Sequence, residues 1–175
     1  MQIMSGSRSA ERKFQIFREA DAPSLEEAQC MQILPYSPAQ AEGVNAMFSA
    51  GSERGEQVKV LFSIPGFSLA HAWFKKDFPL PLHSHNVDCL YYIVSGSLKL
   101  GSEWLGPCDG FFIPADVPYT FTPGPEGLEI LEFRHAQTFD FKMVAKGAGF
   151  WRRAAETMIA RQEDWKTATR PVLNT

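Results

Sequence analysis

A chain of 175 residues, 45% apolar and 21% charged, has the size and composition of one globular domain and is not disordered. Seventeen Lys and Arg against twenty Asp and Glu give a net charge of −3, and the densest basic clusters are the pairs Lys75-Lys76 and Arg152-Arg153, which speaks against nucleic acid as a partner. Cys30, Cys89 and Cys108 are odd in number without CxxC spacing, and no apolar leader or run of about 18 apolar residues is present, so a soluble cytoplasmic protein with no membrane partner is expected.

Along the chain, residues 1 to about 13 are polar and expected to fray. Ser24-Leu25-Glu26-Glu27 has the pattern of a capped helix start and predicts a short helix over 24–30. Pro35, Pro38, Gly43, Gly51 and Gly55 predict loop over 35–56, with one strand at most. Val58, Val60, Phe62 and Ile64 then alternate at period two, Pro65-Gly66 makes a turn, and Phe67, Leu69, His71 and Trp73 alternate again. Further strands are expected at 89–95, 98–100, 111–113, 119–122 and 128–134, with Gly96-Ser97, Gly101-Ser102, Gly106-Pro107, Pro114, Pro118 and Pro123-Gly124-Pro125 between them. Aromatic residues, 13% of the chain, suit such strands. This cadence predicts an all-β sandwich or barrel. Near 150–166 the period changes: Trp151, Ala154, Ala155, Met158, Ile159 and Trp165 predict an amphipathic helix packed on the barrel or on a second subunit.

Of the four histidines, the pair in His83-Ser84-His85 is the informative one. Residues i and i+2 of a strand share a face, so two imidazoles emerge side by side, where one divalent metal can bind both. Cys89 has the same parity, and two imidazoles with a thiolate are a reasonable donor set for Zn or Fe. Taken alone, His-x-His is equally two polar residues on an exposed strand.

The stretch from Pro81 through His83, His85 and Cys89 to Gly96 resembles the first motif of the cupin superfamily, in which His-x-His is followed by Glu and then Gly. Cys108-Asp-Gly-Phe-Phe-Ile-Pro114-Ala-Asp116-Val-Pro-Tyr119 resembles the second motif, which runs from Gly through Pro and a second Gly to His. The resemblance implies a double-stranded β-helix, a cupin jelly-roll barrel over about 57–135, with an N-terminal extension before it and the C-terminal helix after it. It carries over only His83 and His85 as ligands. The Glu position holds Cys89, the third-His position holds Tyr119, and two Gly positions hold Cys108 and Asp116. A Cys89 thiolate, a Tyr119 phenolate, or His71 or His135 from a neighbouring strand would have to complete the metal shell.

His71, on an apolar alternating face, reads either as a hydrogen-bonded core histidine or as part of the pocket. Tyr91 and Ile93 share the parity of Cys89 and should face inward. Glu132 and Arg134 share one face, as a surface ion pair or as a charged pocket wall; Cys30 and Cys108 read as inert. The resemblance implies an enzyme acting on a small organic molecule through a divalent transition metal, Zn or Fe, on His83, His85 and Cys89. An oxygenase (dioxygenase-like) or isomerase reaction is expected, with Cys89 and Tyr119 beside the metal and Tyr91, Tyr119, His71 and Glu132 in the pocket wall. The aromatic content predicts a largely apolar pocket, which suits an aromatic or hydrophobic substrate. The alternative is a non-catalytic small-ligand sensor that has lost part of the site. The apolar surface of the C-terminal helix and the aromatic strands predicts a homodimer.

Overall fold

A computed structural model describes residues 13–172; the N-terminal stretch expected to fray lies, but for Lys13, outside the described residues. The chain runs α1 (Leu25–Ala28), β1 (Met31–Ile33), α2 (Pro38–Ser49), β2 (Glu56–Ile64), β3 (Phe67–Phe74), β4 (His83–Ser84), β5 (Cys89–Leu100), β6 (Glu103–Leu105), β7 (Gly110–Ile113), β8 (Thr122–Arg134), β9 (Phe139–Met143) and α3 (Ala148–Thr167). The larger sheet has the order β2-β3-β8-β5-β6, with β7 also paired to β5. Its pairings are all antiparallel. The smaller sheet, β1-β9-β4, contains a parallel pair, β1 with β9, outside the expected barrel core.

Period-two alternation decides which side chains meet. Ala72, Phe74, Tyr91, Ile93, Leu128 and Ile130 point inward from β3, β5 and β8 and are buried with Met143 of β9 in one core. Their direct partners in sequence, such as Leu90, Tyr92 and Glu129, take the outer face. The two short strands expected around Gly96-Ser97 are one strand, β5, which crosses that point with a register irregularity and Gly96 at φ 74°. Pro123-Gly124-Pro125 likewise lies inside β8, where Leu98 pairs with Pro123. The strand expected at 119–122 is an isolated bridge from Tyr119 to His83.

Ser24 and Glu27 close the capping box read from the sequence. The segment 35–56, expected as loop, holds a twelve-residue helix, α2. Ser37 and Gln40 cap it reciprocally, with Pro38 in the first turn, where a missing N–H costs nothing. Gly43 is a packing glycine, not a helix break: the Trp151 ring of α3 occupies the space a Cβ would need. Of the two placements expected for this helix, on the barrel or on a second subunit, its tryptophans pack within the chain. Trp151, Ala154, Met158 and Trp165 are buried, and Trp165 packs on Phe78 at 5.9 Å while its Nε1 donates to the Lys76 carbonyl at 3.0 Å. No helix among the described residues is long and apolar enough to cross a membrane.

Candidate functional site

A cavity of about 580 Å³ opens between the two sheets and α2. Phe74, Phe121, Phe139, Phe141 and Met143 make its walls apolar, and Met47 and Phe48 of α2 line one side. Among the polar side chains on its inner surface are His83, His85, Tyr91, Tyr119, Glu132 and Arg134. The volume lies within the range of small-molecule pockets.

Short-range structure explains why the histidines face this space. β4 is clipped to β9 through His83–Met143 and Ser84–Lys142 pairing. Tyr119 bridges to the same residue, donating its N–H to the His83 carbonyl at 2.9 Å and accepting from the His83 N–H at 3.1 Å. Asn86 and Asp140 exchange two bonds, each side-chain oxygen accepting the other's N–H, at 2.8 and 2.9 Å. The His83 ring stacks on Phe141 at 4.8 Å and 15°, and the two imidazoles lie 5.1 Å apart.

These contacts also fix the tautomers. His83 Nδ1 lies 2.7 Å from the Pro81 carbonyl and His85 Nδ1 lies 2.5 Å from the Asp140 carbonyl. A carbonyl only accepts, so each Nδ1 carries a proton and each neutral ring keeps its lone pair on Nε2. Burial pushes His83 down to about 4 and lowers His85 as well, with Arg134 adding to the effect at His85. The hydroxyls of Tyr91 and Tyr119 share a hydrogen bond. One proton serves that bond, leaving the second for a ligand. Burial holds both phenols neutral by raising them well above their ordinary range.

Glu132 and Arg134 form a buried wall pair, not a surface one: Arg134 is 3% exposed and donates to Glu132 Oε2 at 2.7 Å. Burial works against the guanidinium charge, but Glu132 overrides it and keeps Arg134 protonated. The guanidinium also lies 4.0 Å over the Phe139 ring. Its Nε is buried without a hydrogen-bond partner among the described residues.

Two expected site residues sit elsewhere. His71 belongs to the opposite face of the sheet, because its odd position on β3 points away from Ala72 and Phe74; its Nε2 lies 3.3 Å from Glu129. Cys89 faces inward in register with Arg134 but does not line the cavity; burial pushes its thiol up to about 12. His135 is exposed at the end of β8.

These positions decide how far a metal set is assembled. Nε2 of His83 and of His85 are two nitrogen donors. The Cys89 thiol is off the cavity, and Glu132 is engaged by Arg134, whose own charge opposes a dication. Among the described residues no group of three or more His, Cys, Asp or Glu is placed to hold a metal ion. The donor set stops at two, short of the three protein ligands of a usual catalytic zinc site. Of the set expected to hold Zn or Fe, the cavity brings His83 and His85 together and leaves Cys89 outside its lining.

Sequence reading missed Glu56, α2 and β9 as cavity elements. Phe139, Phe141 and Met143 alternate at period two, a signal that identifies β9. Ser37-Pro38-Ala39-Gln40 is the capping signature that identifies α2.

Among solved structures, the chain is similar to the polyketide cyclase RemF from Streptomyces resistomycificus, with 16% identity and a TM-score of 0.56 over 85% of this chain and 97% of that one. It is also similar to a protein of unknown function with a cupin-like fold from Ralstonia eutropha, with 16% identity and a TM-score of 0.50 over 87% of this chain and 90% of that one. These likenesses, with the strand order above, make the fold a cupin fold. No protein-family model and no curated protein matches the sequence.

Proposed function

We propose that the cavity binds a small, mostly aromatic carbonyl compound and moves a proton on it, in an isomerisation or ring-forming step that passes through an enol. One observation carries this reading: two neutral imidazoles with unengaged Nε2 atoms and a hydrogen-bonded phenol pair border the same apolar cavity. His85 Nε2 takes the proton from the carbon beside the carbonyl, and the Asp140 carbonyl steadies the imidazolium through Nδ1–H. The C–H electron pair becomes the C=C bond, and the carbonyl oxygen takes up negative charge, which the free phenol proton of the Tyr91–Tyr119 pair meets. The imidazolium then returns its proton to the far carbon of a conjugated dienolate, completing an isomerisation, or the enolate carbon attacks a second carbonyl, the first C=O re-forms, and the imidazolium protonates the new alkoxide as the ring closes. A solved structure named as a polyketide cyclase has a similar fold, which supports the ring-forming form of this reading.

A divalent metal would be held by His83 and His85 alone among the residues present, so no step is routed through one. The sensor alternative uses the same cavity to hold the ligand without proton transfer. Deuterium incorporation into the methyl group of 2-acetylnaphthalene in D2O separates the readings. Wild type is expected to exchange it, Tyr119→Phe about 10²–10³-fold more slowly, as on loss of one oxyanion donor. The double variant His83→Ala/His85→Ala should be at background. Binding without exchange would establish the sensor. Exchange that depends on stoichiometric metal in the purified protein would overturn the metal-free step.

We also infer that the chain works as a cytoplasmic homodimer. Leu90, Tyr92 and Phe112 are exposed together on the outer face of β5 and β7, where Leu90 pairs directly with Phe112. Three free cysteines suit a reducing compartment. A monomeric mass by sedimentation at micromolar concentration would contradict the dimer.

A further inference from the structure

Glu56 opens β2 and has had no role so far. Its Cα partner is Phe74, and it shares the parity of Val58, so it lies on the inner face of the sheet and lines the cavity. Its start point is held firmly: Lys75 N–H donates to the Gly55 carbonyl at 2.8 Å, and the Phe78 and Trp165 rings fill the space beside Gly55. Unlike Glu132, which Arg134 neutralises, Glu56 has no hydrogen bond or ion pair among the described residues. The cations near it in sequence and on β3 are engaged elsewhere, Arg54 with Glu53 and Gln162, and Lys75 with the Trp165 carbonyl. Glu56 is an exposed residue at the rim of the cavity; the protein packed around it, and then Glu132, push its carboxyl up to about 7.

Position matters as much as freedom. On β3 the partner of Glu56 is Phe74 and the partner of Glu132 is Ala70. Four residues of strand separate them, about 13 Å at the usual rise. The cavity thus has the imidazole, phenol and guanidinium groups around one end and the unpartnered carboxyl of Glu56 displaced from them along the sheet, with Phe74 beside it.

We propose that Glu56 is a specificity-determining residue that accepts a hydrogen bond from a ring hydroxyl at the end of the ligand remote from Tyr91 and Tyr119. The inference rests on the cavity reading above and narrows it: the occupant is a polycyclic aromatic ketone that carries a phenolic hydroxyl at its far end. An unpaired carboxyl at the rim of an apolar cavity discriminates in this way because a ligand that covers it without the hydroxyl strips its water and leaves it unsatisfied.

The test is fluorescence titration with 6-acetyl-2-naphthol and 2-acetylnaphthalene at pH 8. Wild type is expected to bind the naphthol at least tenfold more tightly, a difference of hydrogen-bond size for a charged acceptor. Glu56→Leu should erase that preference and leave 2-acetylnaphthalene within about threefold of wild type; Glu56→Gln, whose amide oxygen still accepts, should keep part of it. Thermal melts of both variants report folding, and Glu56→Gln decides the matter if Glu56→Leu does not fold. A preference that survives either variant in full, or is missing in wild type while 2-acetylnaphthalene still binds, overturns the role of Glu56 alone. Failure of both ketones to bind wild type overturns the cavity reading and this inference with it.

Discussion

His71 and the pair His83–His85 are all buried, and they lie on opposite faces of the barrel wall. On the outer face, His71 meets Glu129, which also accepts from Ser95 Oγ at 2.7 Å and faces Arg170 Nε at 3.5 Å. Arg170 continues to Glu19 at 2.7 Å and Gln57 at 3.0 Å. Burial lowers His71 more than Glu129 raises it, so the ring is neutral with its Nε2–H spent on the carboxylate. On the inner face, backbone carbonyls take Nδ1–H and leave Nε2 open to the cavity. The difference teaches that burial of a histidine says little about function. What matters is which nitrogen its surroundings leave over.

The same contrast holds for the ion pairs, and it gives the largest expected effect. Removing Arg134 leaves Glu132 as an uncompensated charge in a buried wall, so Arg134→Leu should cost about 3–5 kcal/mol of stability. Arg170→Leu, which removes a pair whose side chains keep 36% and 35% of their surface, should cost less than about 1 kcal/mol. Urea denaturation of the two variants checks this. Equal losses would mean that the outer cluster is as closely sealed as the inner one.

A smaller effect is expected from pH. His83 stands at about 4 in the folded chain against an ordinary 6.5. Between those values the unfolded chain binds a proton that the folded one refuses, so stability is complete above pH 6.5 and drains as pH falls toward 4, by on the order of 3 kcal/mol. Glu56 acts in the opposite sense. Its folded value of about 7 lies above the ordinary 4.5, so its contribution is present below 4.5 and lost as pH rises through 7. Water in the cavity reaches Glu56, which makes its share the lesser one. His83→Gln should therefore flatten the acid limb of the stability curve, and Glu56→Gln should steepen it. His71→Gln should flatten it only slightly, because Glu129 works against burial there. An acid limb that His83→Gln leaves unchanged would place His83 in contact with water.

The barrel and the inward pair at 83 and 85 were legible because period-two alternation and motif spacing are local signals. Parity also spoke for His71, whose odd position matches Leu69 and Trp73, but parity does not say which of two apolar faces is the core. β3 has Ala70, Ala72 and Phe74 inside and Leu69 and Trp73 outside, and only the packing of β9 and α2 decides between them. Glu132 with Arg134 was legible as a pair, on the surface or in a pocket wall, and the choice between the two depends on Phe139 and Tyr91, which reach it from other strands. Glu56 carried no signal at all, because one carboxylate at a strand start is ordinary until the opposite wall is known.

The smallest effect concerns the turns of the second motif, where Cys108 and Asp116 occupy positions that the cupin pattern gives to glycine. Both keep the left-handed backbone that glycine favours, with φ of 71° and 63°. Both turns thus hold a side chain in that region, at a cost of about 1 kcal/mol each. Cys108 is exposed, and its N–H bond to the Ile93 carbonyl at 3.0 Å does not need a side chain. Its thiol meets only the Tyr92 hydroxyl on the outer face among the described residues. Cys108→Gly should thus relieve strain without opening a cavity, and the gain should be about 0.5–1 kcal/mol after glycine's extra freedom in the unfolded chain is set against it. Asp116 donates its N–H to the His85 carbonyl at 2.7 Å, so Asp116→Gly tests the same turn chemistry on the inner side. If the outer face is scaffold and the inner face is site, Cys108→Gly raises the denaturation midpoint and leaves ketone binding unchanged, whereas Asp116→Gly loosens the loop under His85 and shifts binding. A Cys108→Gly variant that loses stability would show that the thiol–Tyr92 contact outweighs the backbone strain, and that the outer face is more than scaffold.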